Sequence, residues 1–369
     1  MRIGISGLSI HGQSKRGGLW EYFRALIKIL SEVIDKEEVF VFIPDDLREE
    51  FKEFNFKRIN FVEIKTVKKG THYLEIFILP PFLKKYKINL VHFPNYAFPL
   101  YQNIPYLVTV HDLAFLKIRE NYKKRELLYW NTIYRAAIKN AKVLIAVSNN
   151  TKKDLNYFWR IPLKNIKVIP AFSSLLLDNK KEKGREKKTP DFPYFLFVGT
   201  LEPRKNVERI IEAFLKASCK IKENVKLILI GQKGFKSESI CKKIEENKEK
   251  IIWLNNVKNE ELSNFYEKAI ALIYPSLYEG FGLPVLEAFK FNIPVITSNL
   301  SSLPEIASTG SILVNPYSTY EVEKAILDIY YENNLREKIL KEQREIIKKY
   351  TPHKLGEEIL KVYRSLLAL

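Results

Sequence analysis

The chain has 369 residues, 46% of them hydrophobic and 13% aromatic, and a formal net charge of +18. That length exceeds what one hydrophobic core organises, so two packed domains are expected. Two cysteines, Cys219 and Cys241, lack C-x-x-C spacing, and five histidines lack metal-ligand spacing, which excludes a disulfide framework and a structural zinc site and predicts a reducing cytosol.

The opening M-R-I-G-I-S-G predicts a first strand, Ile3–Ser6, and then a glycine loop. It has neither the apolar core nor the cleavage site of a signal peptide. No window approaches the ~18 consecutive apolar residues of a membrane span. Lys15-Arg16-Gly17-Gly18 leads into a helix beginning near Leu19. Glycine-rich strand-to-helix turns cradle phosphates with backbone N–H groups, although turns use glycine everywhere. Further strand-like runs lie at Val39–Ile43, Phe61–Ile64, Leu90–Phe93, Tyr106–Val110 and Val143–Val147, with amphipathic stretches at Leu19–Leu30 and Glu126–Lys139. This alternation predicts a parallel sheet covered by helices. His111 and Asp112, in T-V-H-D-L, stand at a strand's C-terminal end, where open α/β sheets place functional residues. The pair suits acid–base work, and a hydrogen-bonded packing histidine equally. Ser148, in A-V-S-N-N-T, reads as a helix N-cap rather than a ligand contact.

Asn179 to Pro190 is a charged run without apolar residues, expected as a solvated loop near a domain boundary. Beyond it the alternation restarts with strands at Tyr194–Val198, Lys226–Ile230, Ile251–Leu254, Ala271–Tyr274, Pro294–Thr297 and Ile312–Val314. The expected fold class is α/β, with two doubly wound domains facing a central cleft. F-V-G-T-L-E-P-R-K-N, from Phe197 to Asn206, follows a strand, and Pro203 is expected to open a helix. Arg204 and Lys205 would then stand at the positive end of its dipole, a misfit unless an anion binds there or both side chains point into water.

The most informative segment is Y-E-G-F-G-L-P-V-L-E-A, from Tyr278 to Ala288. Glu279 and Glu287 are separated by seven residues, among them Gly280, Gly282 and Pro284. Pro284 suits the first helical position. The glycines let a ligand approach the backbone, and the N–H groups of the helix start attract an anion. An anion cradle with a carboxylate on each side matches a nucleotide diphosphate sugar: sugar hydroxyls, two phosphates, then a ribose diol. Taken alone, Glu287 reads more readily as a first-turn glutamate that complements the helix dipole than as a ligand contact.

The segment resembles the E-x7-E signature of retaining glycosyltransferases of family 4, with the two-domain GT-B fold, and the likeness extends from Gly17-Gly18 to the last helix. The resemblance implies that Glu279 contacts the donor sugar and Glu287 the ribose. It implies that Arg204 and Lys205 neutralise the leaving diphosphate, that the Gly17-Gly18 loop borders donor phosphate and acceptor, and that His111 lies beside the transferred sugar. Val257, in W-L-N-N-V, falls where relatives hold the donor base through the backbone. The expected donor-binding set is Glu287, Gly280, Phe281, Gly282, Leu283, Gly17, Gly18, Gly199 and Val257. The implied division is an acceptor-binding domain over residues 1–172, a linker over 173–192 and a nucleotide-sugar-binding domain over 193–350. The helix of 351–369 would pack back on the first.

The reading is of a metal-independent enzyme moving a hexose from a nucleotide diphosphate sugar, GDP-mannose by the likeness of T-V-H-D-L-A-F to mannosyltransferases. The acceptor would be a glycan or lipid-linked glycan in cell-surface polysaccharide synthesis. A sugar-nucleotide epimerase, a glycogen-synthase-like enzyme and a silent sugar-nucleotide-binding protein are the rivals. No nucleic-acid motif accompanies the positive charge. Basic clusters at Lys65, Lys68, Lys69, at Lys84, Lys85, Lys87 and at Lys123, Lys124, Arg125 fit either an anionic membrane surface or mere solvation. Phe77, Ile78, Leu79, Phe82 and Leu83 beside the second cluster fit either an interfacial segment or a core. The expected location is the cytoplasm, with peripheral attachment at the inner face of the cell membrane if the basic clusters bind lipid.

Overall fold

A computed structural model describes residues 1–10, 17–52, 56–65, 73–95, 104–177 and 190–367. Lys15, Arg16, Lys68, Lys69 and nearly all of the charged run from Asn179 lie outside the described residues. The chain forms two compact units. One comprises Met1–Lys117, Tyr122–Ser174 and Thr351–Leu369; the other comprises Ile118–Asn121 and Leu175–Tyr350.

The first unit carries β1 (Arg2–Ser6), β2 (Glu38–Pro44), β3 (Ile59–Ile64), β4 (Leu90–Phe93), β5 (Tyr106–Val110), β6 (Val143–Ala146) and β7 (Ile166–Val168). Their order is β3-β2-β1-β4-β5-β6-β7, and every pairing is parallel. Ile5 sits level with Val41 on one side and His92 on the other. β7 has no expected counterpart: a lysine interrupts the apolar run of I-K-V. Nearly all residues of β1, β4 and β5 are buried, as a sheet covered on both faces requires. The sheet changes direction between β1 and β4, so the crevice at their C-terminal ends is where ligands of such sheets bind.

The Gly18–Val33 helix buries Trp20, Phe23, Leu26, Ile27 and Leu30. The expected Glu126–Lys139 helix runs instead as α-helix Lys124–Tyr129, one wide π-turn Trp130–Tyr134, and α-helix Arg135–Asn140. Bulky rings crowd this segment: Phe115 stacks on Trp130 at 5.5 Å, and Tyr134 meets Trp130 edge-on at 5.3 Å. Leu79 and Leu83 are core residues, Ile78 and Phe82 are half-buried against it, and Phe77 projects into solvent. Core packing therefore accounts for most of that apolar cluster. Ser148 caps its helix, its Oγ accepting from the Thr151 N–H at 3.0 Å.

The last helix, Pro352–Leu367, buries Leu355, Ile359 and Leu360 and packs on the Gly18–Val33 helix, with Gly356 against Ile29 and Val33. A buried polar chain anchors it. His92 Nδ1 lies 2.6 Å from the Tyr363 hydroxyl, and its Nε2 lies 2.8 Å from Thr109 Oγ1. Tyr22 joins at Thr109 (3.2 Å). Near the end of β1, Ser6 donates to the buried Glu75 carboxyl at 2.6 Å, whose other oxygen has no hydrogen-bond partner among the described residues.

The second unit carries β8 (Tyr194–Val198), β9 (Lys226–Ile230), β10 (Ile251–Leu254), β11 (Leu272–Tyr274), β12 (Val295–Ser298) and β13 (Ile312–Val314). The order is β10-β9-β8-β11-β12-β13, again all parallel. Its change of direction falls between β8 and β11. A Cβ on Gly231 would come within 2.0 Å of the Gly199 carbonyl oxygen, so only glycine allows the chain after β9 to pass so close to the loop after β8.

Burial pushes the His92 pKa down from 6.5 to about 3 and the Glu75 pKa up from 4.5 to about 8. Both groups therefore fold neutral, and they act on stability in opposite directions. The His92 contribution is present above pH 6.5 and is lost as pH falls toward 3. The Glu75 contribution is complete below pH 4.5 and is lost as pH rises through 8. Each limb slopes by at most about 1.4 kcal/mol per pH unit. In urea titrations across this range, His92→Gln should flatten the acid limb and Glu75→Gln the alkaline one. An unchanged profile in both variants would refute the assignment.

Candidate functional site

The loops leaving β8 and β11 meet at the switch point of the second sheet, and Asn206 ties them. Pro203–Lys205 forms one 3-10 turn, Asn206 adopts a left-handed conformation (φ 62°), and the helix proper runs over Val207–Ser218. The helix therefore begins later than Pro203 implied, and Arg204 and Lys205 belong to the turn before it. Asparagine tolerates the left-handed backbone. Its side-chain amide donates to the carbonyls of Pro275 (3.0 Å) and Pro316 (2.7 Å), which joins the loops after β8, β11 and β13. Leu277 N–H donates to the Arg204 carbonyl at 2.9 Å.

Held this way, both cations reach Glu279. Lys205 Nζ donates to Glu279 Oε1 at 2.6 Å and to the Tyr274 hydroxyl at 2.8 Å, and Tyr274 donates to the same Oε1 at 2.9 Å. Arg204 donates from one terminal nitrogen to Glu279 Oε2 (3.1 Å) and to the Tyr278 carbonyl (3.0 Å). Its Nε and other terminal nitrogen donate to Glu202 Oε1 at 3.2 and 2.8 Å. Burial alone would raise the Glu279 pKa, but Lys205 and Arg204 outweigh it and hold the carboxyl at about 2. Burial lowers the Lys205 pKa, and the Glu279 carboxylate opposes it. The misfit of two unaccompanied cations is thus resolved inside the chain: two carboxylates balance them.

The turn after Glu279 is clamped from Ser301 and Ser302. Glu279 N–H donates to Ser301 Oγ (3.0 Å), and Ser302 Oγ lies 3.0 Å from the Glu279 carbonyl and 2.6 Å from that of Phe281. Gly282 has φ +122°, and a Cβ there would strike Leu303 at 2.8 Å. The following helix is Leu283–Lys290, with Pro284 second rather than first. Glu287 falls beyond its first turn, so dipole complementarity does not explain it. It is buried and accepts from the Tyr266 hydroxyl at 2.9 Å. Tyr266 in turn stacks flat on Phe291 at 5.4 Å. Phe281 meets Tyr350 edge-on at 6.1 Å.

Of the other expected residues, Gly199 leaves β8 and Val257, half-buried, follows β10. Gly17, Gly18 and His111 belong to the first unit. Gly17 caps the first helix, and a Cβ on Gly18 would meet open space, so packing does not demand glycine there. His111 follows β5, packs edge-on against Tyr22 at 4.7 Å and lies with Nε2 2.8 Å from the Pro94 carbonyl. A carbonyl only accepts, so Nε2 carries the proton and Nδ1 is the acceptor side. Burial lowers its pKa despite Pro94 and Asp112, which keeps the ring neutral. Sequence reading missed Glu202, Tyr266, Tyr274, Ser301 and Ser302. Tyr274 had a signal, as the last residue of a strand five positions before Glu279. Among the described residues no group of three His, Cys, Asp or Glu side chains converges as a metal site.

Two parallel, doubly wound units of this kind define a GT-B protein. Sucrose-phosphate synthase from Thermosynechococcus elongatus superposes with a TM-score of 0.80 at 20% identity, covering 100% of this chain and 99% of that one. WaaG, a glycosyltransferase involved in lipopolysaccharide biosynthesis, gives 0.71 at 15% identity over 98% and 99%. The family described as Glycosyltransferase Family 4 matches residues 16–172, and Glycosyl transferases group 1 matches residues 178–346. The chain belongs to glycosyltransferase family 4, retaining and typically metal-independent enzymes that use nucleotide-sugar donors. It is 27% identical to O-antigen chain mannosyltransferase B of Escherichia coli over 69% of this chain and 68% of that one. It is 26% identical to O-antigen chain mannosyltransferase RfbU of Salmonella typhimurium over 88% and 90%.

Tyr274→Phe removes the hydroxyl that lies between Lys205 and Glu279. The second unit should lose about 1.5–3 kcal/mol, the range for hydrogen bonds to charged groups, with its far-UV circular dichroism unchanged. Chemical denaturation that detects no loss would show that this hydroxyl is dispensable.

Proposed function

We propose that this glycosyltransferase transfers mannose from GDP-mannose to a hydroxyl of a glycan or lipid-linked glycan in cell-surface polysaccharide synthesis. The observation that carries the donor assignment is the Arg204–Lys205–Glu279 cluster at the β8/β11 switch point. The mannose assignment is supported by the two O-antigen mannosyltransferases among the relatives.

In this reading Arg204, Lys205 and the backbone around Gly280–Leu283 take up the charge that develops on the diphosphate as the glycosidic bond breaks. Fixed donors aimed at a developing anion stabilise a transition state without reorganising. Glu279 accepts from hydroxyls of the sugar, and Glu287, steadied by Tyr266, from the ribose diol. Gly199 leaves room for the phosphates, and Val257 supplies backbone groups to the base. For the first unit, the family resemblance supports Gly17 and Gly18 as the loop toward phosphate and acceptor and His111 as a contact of the transferred sugar. The acceptor hydroxyl attacks from the face that the diphosphate leaves, which retains configuration. No metal takes part.

A thermal-shift panel of UDP-, GDP- and ADP-sugars tests the donor. GDP-mannose at a hundredfold excess over its dissociation constant should stabilise by ~2.7 kcal/mol, and a larger response to a UDP- or ADP-sugar would replace it. Glu287→Gln should weaken GDP and GDP-mannose alike, while a 2′,3′-dideoxy nucleotide should be insensitive to it. Equal GDP affinity in wild type and variant would remove the ribose role.

We also propose that the first unit attaches to the inner face of the cell membrane. Exposed Phe77 and Leu128 accompany Lys84, Lys85, Lys87, Lys123, Lys124 and Arg125 on it, and basic side chains beside exposed apolar ones suit an anionic surface. Among the described residues no helix is long and apolar enough to cross a membrane. Binding to anionic vesicles should weaken steeply with salt, and neutral vesicles should bind poorly. Equal partition to both, or to neither, would leave the +18 charge as solvation alone.

A further inference from the structure

The proposed donor site leaves Glu202 without a role, although it holds one edge of the arginine on which the diphosphate is to bind. The two edges of the Arg204 guanidinium are held differently. One terminal nitrogen is fixed by the Tyr278 carbonyl and Glu279 Oε2. The Nε edge is the fork that grips a carboxylate or phosphate with two parallel bonds, one to each oxygen. Here both of its nitrogens converge on one oxygen, Glu202 Oε1, so the fork grips this carboxylate through a single acceptor atom.

Exposure separates the two carboxylates. The Glu202 side chain is 24% exposed and that of Glu279 is 8%. Among the described residues the Glu202 carboxylate accepts from Arg204, whereas Glu279 is bound by Arg204, Lys205 and Tyr274. Its backbone is extended (φ −142°) and precedes the turn, so rotation of its own side chain opens the fork without moving the turn. A pair open to solvent on one side costs less to break than a fully buried one such as Lys205 with Glu279. Charge points the same way. Arg204 and Lys205 against Glu202 and Glu279 sum to zero, so the closed cluster exerts no net pull on an anion. With Glu202 turned into water the cluster is cationic, and the Nε edge of Arg204 faces the vacated position.

We propose that Glu202 is a tethered stand-in for the donor's phosphate: it fills the Arg204 fork in the empty enzyme and yields it to the incoming diphosphate. Arg204 then keeps its bonds to Glu279 and Tyr278 throughout and needs no reorientation. The device sets donor affinity, and it selects against singly charged anions, which gain nothing by replacing a tethered carboxylate. The inference rests on the reading of this cluster as the diphosphate site.

Calorimetric titration of wild type, Glu202→Gln and Glu202→Ala with inorganic pyrophosphate and with GDP, UDP and ADP tests it. Both variants should bind pyrophosphate and the preferred nucleoside diphosphate about three- to tenfold more tightly than wild type, at most ~1.4 kcal/mol. Their affinity should also fall more steeply with salt, because the opened site carries more net positive charge. Equal or weaker binding by both variants, with melting curves showing them folded, would overturn the proposal and make Glu202 a brace for Arg204. If wild type and both variants ignore all four ligands, the diphosphate reading itself falls, and the stand-in with it.

Discussion

The second unit is organised around one buried ion pair, Lys205 with Glu279. Neither charge survives there alone: removing one partner of a buried pair typically costs ~3–5 kcal/mol because the other is left uncompensated. The pair therefore requires the loop after β8 and the loop after β11 to arrive together, in one register. The surrounding contacts serve that meeting. Asn206 bridges three loops, Tyr274 bonds both ammonium and carboxylate, and Ser301 and Ser302 hold the turn that carries Glu279. Arg204 adds a second cation, and Glu202 restores neutrality.

Parallel topology puts these loops side by side. In a doubly wound sheet the loops at the carboxyl ends diverge to opposite faces where the strand order reverses, which leaves a crevice between them. In the second sheet that reversal lies between β8 and β11, the strands that deliver Arg204 and Lys205 on one side and Tyr274 and Glu279 on the other. The first sheet repeats the arrangement at β1 and β4, where a different polar economy operates. Two of its buried groups, His92 and Glu75, are held neutral by desolvation, while buried Glu37 pairs as an ion with Arg364 of the last helix. The last helix is fastened through the same kind of contact, with Tyr363 against His92.

The two glutamates of the E-x7-E segment, similar on paper, have unlike surroundings. Glu279 is an ion among ions and is held far below the ordinary carboxylate range. Glu287 lies a turn further along, backed by a tyrosine hydroxyl and a stacked aromatic pair. The bonds from Lys205, Tyr274 and Arg204 take up three of the roughly four acceptor positions of the Glu279 carboxylate, whereas the Glu287 carboxylate accepts from the neutral Tyr266 hydroxyl.

The GT-B class and the family were legible in the chain itself, because both depend on local patterns: apolar strand runs of period two, helical stretches between them, and glycines and glutamates at fixed spacing. Twelve of the strands lie where their apolar runs stand; β7 escaped because a lysine breaks its run, whereas the equally short β11 and β13 are apolar throughout. The charges of Arg204, Lys205, Glu279 and Glu287 could be named from the sequence, but not the partners of those charges. Glu202 looked like an unremarkable loop acid, and Tyr274 and Tyr266 like core aromatics. Their roles arise from contacts between residues some 20 to 75 positions apart, or from a side chain folding back two positions, and spacing along a chain carries no record of such contacts. Whether two cations need a ligand or already have a counter-ion depends on distances of about 3 Å, and only the packing of loops against one another sets those.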